Sequence, residues 1–249
     1  MSIQSKYIAP KLKKKTNPKV GLLALSTDLT IENDFQSICQ KLPFDLFVNR
    51  IHNENPLTKE NLLKMYDQIE SVTEKILPGQ KINTIAYACT SGTIAIGEDK
   101  VKEKIQLAKP DCYVTTPITS AIKAFKEMNL KKISLFTPYP ESVNKTILEY
   151  FNKQNINIIS FSTFNIDLDK DIAEVDKKYL LETLVKLDLA NADALFISCT
   201  ALPVLEIINE VERKINKITL SSNQTLIWDT LRSVGYKSPV KGYGKLLRN

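Results

Sequence analysis

Apolar runs and helical patterns alternate along almost the whole chain. Val20-Gly-Leu-Leu-Ala-Leu25 reads as a buried strand, followed by the polar loop Ser26-Thr27-Asp28. A helix is expected from Thr30 or Ile31, with Glu32 and Asp34 suited to its first turn. Phe44 to Arg50 is a second strand. Thr58 then caps a helix expected to reach about Leu77, where Pro78-Gly79 stops it. Thr84 to Ala88 is a third strand and runs into Cys89-Thr90-Ser91-Gly92-Thr93. The next helix carries Val101 and Ile105, Cys112 to Val114 is a short strand, and Thr116-Pro117 opens a helix with Ala121, Phe125 and Met128 on one face.

The pattern then begins again. Ile133 to Phe136 is a strand ending at Thr137-Pro138-Tyr139-Pro140, with a helix through Val143, Ile147 and Phe151 behind it. Ile156 to Phe161 is a strand, and Asp171 to about Leu189 reads as one helix. Ala194 to Ile197 is a buried strand running into Ser198-Cys199-Thr200. A helix from about Pro203 to Lys214, a strand Ile218 to Leu220 and a helix from Gln224 to Val234 complete the series. Continuous apolar strands alternating with helices argue for an α/β fold with parallel sheets flanked by helices. Strand-loop-helix at Val20 recurs at Ile133, and strand-Cys-Thr at Cys89 recurs at Cys199, at nearly equal offsets. Two pseudo-twofold-related Rossmann-like domains facing one cleft are therefore expected. Their bounds are read as a basic arm over 1–17, a first domain from 18–115 plus 222–249, and a second from 116–221. The tail after about Ser222 returns to the first domain, which is otherwise short of helices.

Composition narrows the function. The chain has 249 residues, 43% hydrophobic and 25% charged, enough for one large core or two coupled domains. No run approaches the ~20 apolar residues of a membrane span. No apolar signal core follows the first residues, so the cytoplasm is the expected compartment. The net charge of +6 is concentrated in Lys11, Lys13, Lys14 and Lys15, which read as a solvated terminus rather than a nucleic-acid contact. The four cysteines lack Cys-x-x-Cys spacing, and His52 is the sole histidine. That excludes a histidine-based zinc site, a Ser-His-Asp triad and a Cys-His protease. Any proton chemistry must run on Cys, Asp, Glu, Lys or Tyr.

Cys89 and Cys199 both stand where a strand gives way to a loop and helix, the place where open α/β sheets bind ligands. Backbone N–H groups there form a carboxylate cradle and are expected to depress the thiol pKa. Thr90, Ser91, Thr93 and Thr200 add hydroxyls. Cys39 and Cys112 read as small core residues. Two facing thiols imply a definite chemistry: one removes an α-proton and the other returns a proton on the opposite side. One thiolate could also add to an activated double bond.

Ala24 to Glu32, Tyr87-Ala-Cys-Thr-Ser-Gly-Thr93 with Ile96-Gly97, Thr137-Pro-Tyr139, Ser198-Cys-Thr-Ala-Leu202, and Ser221-Ser-Asn-Gln224 with Trp228 and Leu231-Arg232 together resemble the aspartate/glutamate racemase superfamily. Within it they resemble the branch holding maleate cis-trans isomerase, arylmalonate decarboxylase and the racemase-like ectoine-utilisation proteins. The resemblance runs from about Val20 to Gly235. It implies an active site between two domains, no metal or organic cofactor, a small carboxylate substrate and homo-oligomerisation. By position it makes Cys89 and Cys199 the catalytic pair and puts Thr90, Ser91 and Thr200 at carboxylate or oxyanion contacts. Tyr139 matches a tyrosine that hydrogen-bonds the substrate carboxylate, and Thr27 and Asn144 are further candidates for the cleft. Other readings stand beside these: Thr90 and Ser91 as helix caps, Asn223 as the cap of the helix carrying Trp228, and Asp28 and Glu32 as first-turn residues. Arylmalonate decarboxylases keep only the second cysteine, so Cys89 argues for an isomerase or racemase. A decarboxylase using Cys199 alone and a non-catalytic carboxylate-binding protein are the alternatives.

Overall fold

The computed structural model describes residues 6–40, 42–189 and 191–248. Residues 1–5 of the basic arm lie outside them, and residues 6–17 are largely exposed. The chain forms two four-stranded sheets, every strand pair parallel. The first takes β1 (Lys19–Leu25), β2 (Asp45–Ile51), β3 (Thr84–Ala88) and β4 (Tyr113–Thr115) in the order β2-β1-β3-β4. The second takes β5 (Lys132–Thr137), β6 (Asn157–Thr163), β7 (Ala194–Ile197) and β8 (Ile218–Ser221) in the order β6-β5-β7-β8. The two orders are the same once β1 is matched to β5, so the loop after β3 and the loop after β7 occupy equivalent places.

The central strands are apolar along their length because both faces are covered. Every residue of β3 and of β7 is buried. The helices present one apolar face each. In α1 (Ile31–Cys39) the buried side includes Ile31, Phe35 and Ile38. In α6 (Pro117–Glu127) it includes Ile118, Ala121, Ile122 and Phe125, behind a Thr116 cap with Pro117 at the first helical position. Phe125 meets Phe196 edge-on at 5.4 Å, and Phe151 of α7 (Glu141–Lys153) meets Phe196 at 5.9 Å. The last long helix, α11 (Ser222–Ser233), packs on α6, β3 and β4. Among the described residues no helix is long and apolar enough to cross a membrane.

Three helices differ from expectation. The helix expected from Thr58 to Leu77 is divided into α2 (Lys59–Leu63), a 3₁₀ turn over Tyr66–Gln68, and α3 (Ile69–Glu74). Met65 at the break is fully buried, with its sulfur accepting from the Tyr87 hydroxyl at 3.8 Å. The helix expected from Asp171 to Leu189 is α8 (Asp169–Ala173) and α9 (Lys177–Val185), because the Asp176 carboxylate accepts from the Tyr179 N–H at 2.7 Å and starts a new helix. The helix expected from Pro203 begins five residues later, as α10 (Ile208–Ile215). The stretch after Cys89 forms α4 (Thr90–Ile96) and α5 (Glu98–Ala108), separated by Gly97 at φ 98°, a conformation open to glycine.

Candidate active site

The loops that leave the carboxyl ends of β1 and β3, and of β5 and β7, converge. Thr27 and Asp28 follow β1, Cys89 follows β3, Tyr139 follows β5, and Cys199 follows β7. These are the positions at which strand order reverses in each sheet, the crevice where open α/β sheets hold ligands.

Cys89 is the N-cap of α4. Its sulfur accepts the Gly92 N–H at 3.2 Å and lies 3.9 Å from the Ser91 hydroxyl. Gly92 is required by that contact: a Cβ there would lie 2.7 Å from Sγ of Cys89 and 2.6 Å from Cε of Met65. Thr93 donates to the Cys89 carbonyl at 2.6 Å, and the Thr90 hydroxyl shares a 2.9 Å hydrogen bond with Ser222. The Tyr139 hydroxyl and the Ala201 N–H lie beside the Cys199 thiol and favour its charged form. Asn144 sits behind Tyr139. Its amide donates to the Tyr139 carbonyl at 2.6 Å and its oxygen accepts from Thr137 at 2.5 Å, so it fixes the loop.

Two acids missed by the sequence reading as site residues complete the cluster. Asp169, at the start of α8, accepts from Thr27 Oγ1 at 2.6 Å and from Asn53 Nδ2 at 3.0 Å. These bonds join the two halves of the chain across the cleft. Asp28 does serve the first turn of α1, with Oδ1 accepting from the Thr30 and Ile31 N–H groups at 2.7 and 2.9 Å. It also acts on both cysteines, and the Thr200 hydroxyl lies beside its carboxyl group. A polar residue soon after a strand end was the available signal for Asn53. Asp169 had none, since it lies well past β6 and reaches the site only through folding.

Cys89, Cys199 and Tyr139 are each 2% exposed. Burial pushes the Cys89 thiol up to about 12, and the carboxyls of Asp169 and Asp28 push the same way against the Gly92 N–H. Cys199 is raised by the same burial and the same two acids, against the Tyr139 hydroxyl. The expected depression of the thiols is therefore reversed. The Tyr139 hydroxyl is raised by burial and by both cysteines. Burial also raises Asp28 and Asp169.

Asn223 is not the cap expected of it. Ser221 caps α11, accepting from Gln224 N at 3.2 Å, while the Asn223 amide donates to Asp34 at 2.7 Å and to the Thr200 carbonyl at 2.8 Å. His52 is exposed, and Cys39 and Cys112 are buried in the core. Among the described residues no group of three or more His, Cys, Asp or Glu could hold a metal ion.

The chain is similar to proteins of known activity. A maleate isomerase of Geobacillus stearothermophilus is 24% identical over 92% of this chain and 96% of its own. An arylmalonate decarboxylase of Bordetella bronchiseptica is 26% identical over 53% of this chain and 56% of its own. Among solved structures, the maleate isomerase of Pseudomonas putida S16 superposes with a TM-score of 0.85 at 19% identity, covering 93% of this chain and 98% of that one. A mutant of the Nocardia farcinica maleate cis-trans isomerase with a covalently bound succinylcysteine intermediate gives the same TM-score at 21% identity, covering 93% and 98%. These fit the superfamily branch that the motifs resemble. The arylmalonate decarboxylase family model matches residues 57–247, which takes in both cysteine loops, Tyr139 and Asp169, and the chain belongs to that family.

Proposed function

We propose that this protein is a cofactor-independent isomerase or racemase of a small carboxylate, working through Cys89 and Cys199. The observation that carries the reading is the shared environment of the two thiols. They stand at equivalent strand ends, and both act on the Tyr139 hydroxyl and feel Asp169. In a racemisation, one cysteine as thiolate takes the α-proton, the C–H electron pair passes into the substrate carboxylate, and the opposite thiol supplies a new proton. In a cis-trans isomerisation, a thiolate adds to one alkene carbon, the electron pair passes to the neighbouring carboxylate, and rotation precedes loss of the thiolate. The relatives' maleate chemistry and the covalent cysteine adduct of the Nocardia enzyme support the second form. Ser91, Thr200 and Tyr139 supply donors for the developing oxyanion, with Thr90 behind them. Thr27 and Asn144 act as positioning residues, through Asp169 and Tyr139 respectively.

The site lies between two domains with the bounds 18–115 plus 222–249 and 116–221. Sheet membership and the packing of α11 on β3 and β4 support that division.

The test is incubation in deuterium oxide with maleate, amino acids and arylmalonates, followed by NMR for α-deuteration, isomerisation and decarboxylation. Turnover should fall by about 10³-fold or more in both Cys89→Ala and Cys199→Ala, with thermal unfolding little changed. Full activity in Cys89→Ala, with carbon dioxide released from an arylmalonate, would instead identify a decarboxylase using Cys199 alone.

A further inference from the structure

The arm ahead of β1 combines two kinds of unpartnered group. Residues 6–17 carry five lysines, Lys6, Lys11, Lys13, Lys14 and Lys15, and the chain has no aspartate or glutamate before Asp28. These five account for all but one unit of the net +6 charge, so the rest of the protein is close to neutral. Among the described residues none of the five enters an ion pair. The same segment holds the most exposed large apolar side chains among the described residues: Tyr7 is 95% exposed, Leu12 86% and Ile8 81%. Single exposed apolar residues are ordinary, but three within six residues, flanked by lysines, form a patch. The arm has no helix or strand, and its root is fixed. The Asp45 N–H donates to the Pro18 carbonyl at 2.9 Å, and the Asn17 amide donates to the Asp45 carboxylate at 3.0 Å. It leaves the body at the amino end of β1, whereas the cysteine cleft lies at the carboxyl ends of the strands. The length of β1 puts about 20 Å between them.

We propose that residues 6–15 dock the protein on an anionic lipid bilayer, with the lysines against the headgroups and Tyr7, Ile8 and Leu12 at the acyl boundary. The surface is separate from the thiol site and does not depend on the isomerase reading. It replaces the solvated terminus expected from charge alone, because charge alone does not account for three bare apolar side chains. Each lysine near an anionic leaflet tightens attachment by about fivefold. Lysine stems carry their ammonium groups outward while apolar neighbours sit deeper, and a tyrosine ring with its hydroxyl suits the boundary. Polybasic attraction and apolar insertion, each weak by itself, reinforce one another on one short segment. A nucleic acid is the poorer fit. The arm has no arginine, whose planar fork matches phosphate, and its apolar trio has no role on a phosphate backbone. The near-neutral remainder of the chain adds little attraction. Attachment through the far end of β1 leaves the cleft open to a substrate in water.

The experiment is co-sedimentation of the full chain with vesicles of phosphatidylcholine, with and without about 30% phosphatidylserine, at about 0.05 M and about 0.5 M salt. At low salt the wild-type protein should bind the anionic vesicles about tenfold or more tighter than the neutral ones, and high salt should release most of it. The combined variant Lys11→Gln, Lys13→Gln, Lys14→Gln and Lys15→Gln should weaken binding by about 10²-fold or more. The combined variant Tyr7→Ser, Ile8→Ser and Leu12→Ser keeps every charge and should weaken it by about tenfold or more. No binding to anionic vesicles at low salt, or equal binding to both lipids, would overturn the proposal. Wild-type vesicle binding in the serine variant would overturn it too, since the apolar trio would then have no part in docking. Tighter binding to a short DNA duplex than to the anionic vesicles would make the arm a nucleic-acid contact instead.

Discussion

The two cysteine loops occupy equivalent places but are held in different ways. The Cys89 loop is fixed by its own next four residues: Gly92 N–H on the sulfur, Thr93 N–H and hydroxyl on the carbonyl, and α4 starting at once. The Cys199 loop has no immediate helix. Besides the Ala201 N–H and the Tyr139 hydroxyl beside its sulfur, it is braced from far away by Asn223 on the Thr200 carbonyl and Thr30 on the Ala201 carbonyl at 2.6 Å. Thr30 caps α1 and Asp34, the anchor of Asn223, lies within it beside the first sheet, so the opposite half helps to position the second thiol. One thiol is set by local chain geometry alone, and the other by the Ala201 N–H of its own loop together with residues distant in the chain.

Protonation of Asp34 should separate the two loops most strongly. Burial lifts its pKa to about 7, against the Asn223 amide hydrogen bond. The folded pKa lies above the unfolded one, so between about pH 4 and pH 7 the unfolded chain holds fewer protons at this site. Stability contributed here is present at low pH and is lost as pH rises through 7, by roughly 4 kcal/mol at most. Urea unfolding at pH 5 and pH 8 should show this fall in the wild type and a flatter profile in Asp34→Asn. Alkylation should sharpen the contrast: the Asn223 amide donates better to the Asp34 carboxylate than to the acid, so Cys199 should become more reactive relative to Cys89 as pH falls below 7. An unchanged ratio of the two rates would break the link between Asp34 and the second loop.

Gly92→Ala attacks the other side of the comparison. Its Cβ would meet Cys89 Sγ at 2.7 Å, Met65 Cε at 2.6 Å and the Tyr87 hydroxyl at 3.1 Å, and the thiol cannot stay where it is. A shift of this kind should lower turnover by about 10²-fold with a smaller effect on substrate affinity. The alkylation rate of Cys89 should change and that of Cys199 should not. Equal changes at both would mean that the loops are not independently held.

That contrast also explains what could be read from the sequence. The strands were legible because parallel strands covered on both faces are continuous apolar runs, and the repeated strand-Cys-Thr spacing located both thiols. Thr90 and Ser91 were read from the strand-Cys-Thr loop, and Tyr139 from motif resemblance. Each lies in a loop leaving a strand end or in the helix that follows, where local sequence carries the information. Asp169 and the bracing roles of Thr30, Asn53 and Asn223 were not legible, because each acts on a residue 23 to 171 positions away. The depressed thiol pKa failed for a related reason: the N–H contact was read locally, but burial and two acids brought in by folding outweigh it. The divided helices show the same limit, with Met65 and Asp176 ending periodic patterns that the apolar spacing alone would have continued.

The smallest expected effect tests the longest brace. Thr30→Val keeps the side-chain shape and removes one hydroxyl, leaving the Ala201 carbonyl without that donor. An unsatisfied buried acceptor costs about 1–3 kcal/mol, so a modest loss of stability is expected. Cys89 keeps its local contacts in this variant and should alkylate at the wild-type rate. Cys199 loses one of its braces and should alkylate several-fold faster, with turnover lowered by a similar factor. Rates unchanged at both thiols would mean that Asn223 and Tyr139 hold the second loop without help from α1. The cross-cleft bond from Thr30 would then contribute to folding and not to the placement of the reacting sulfur.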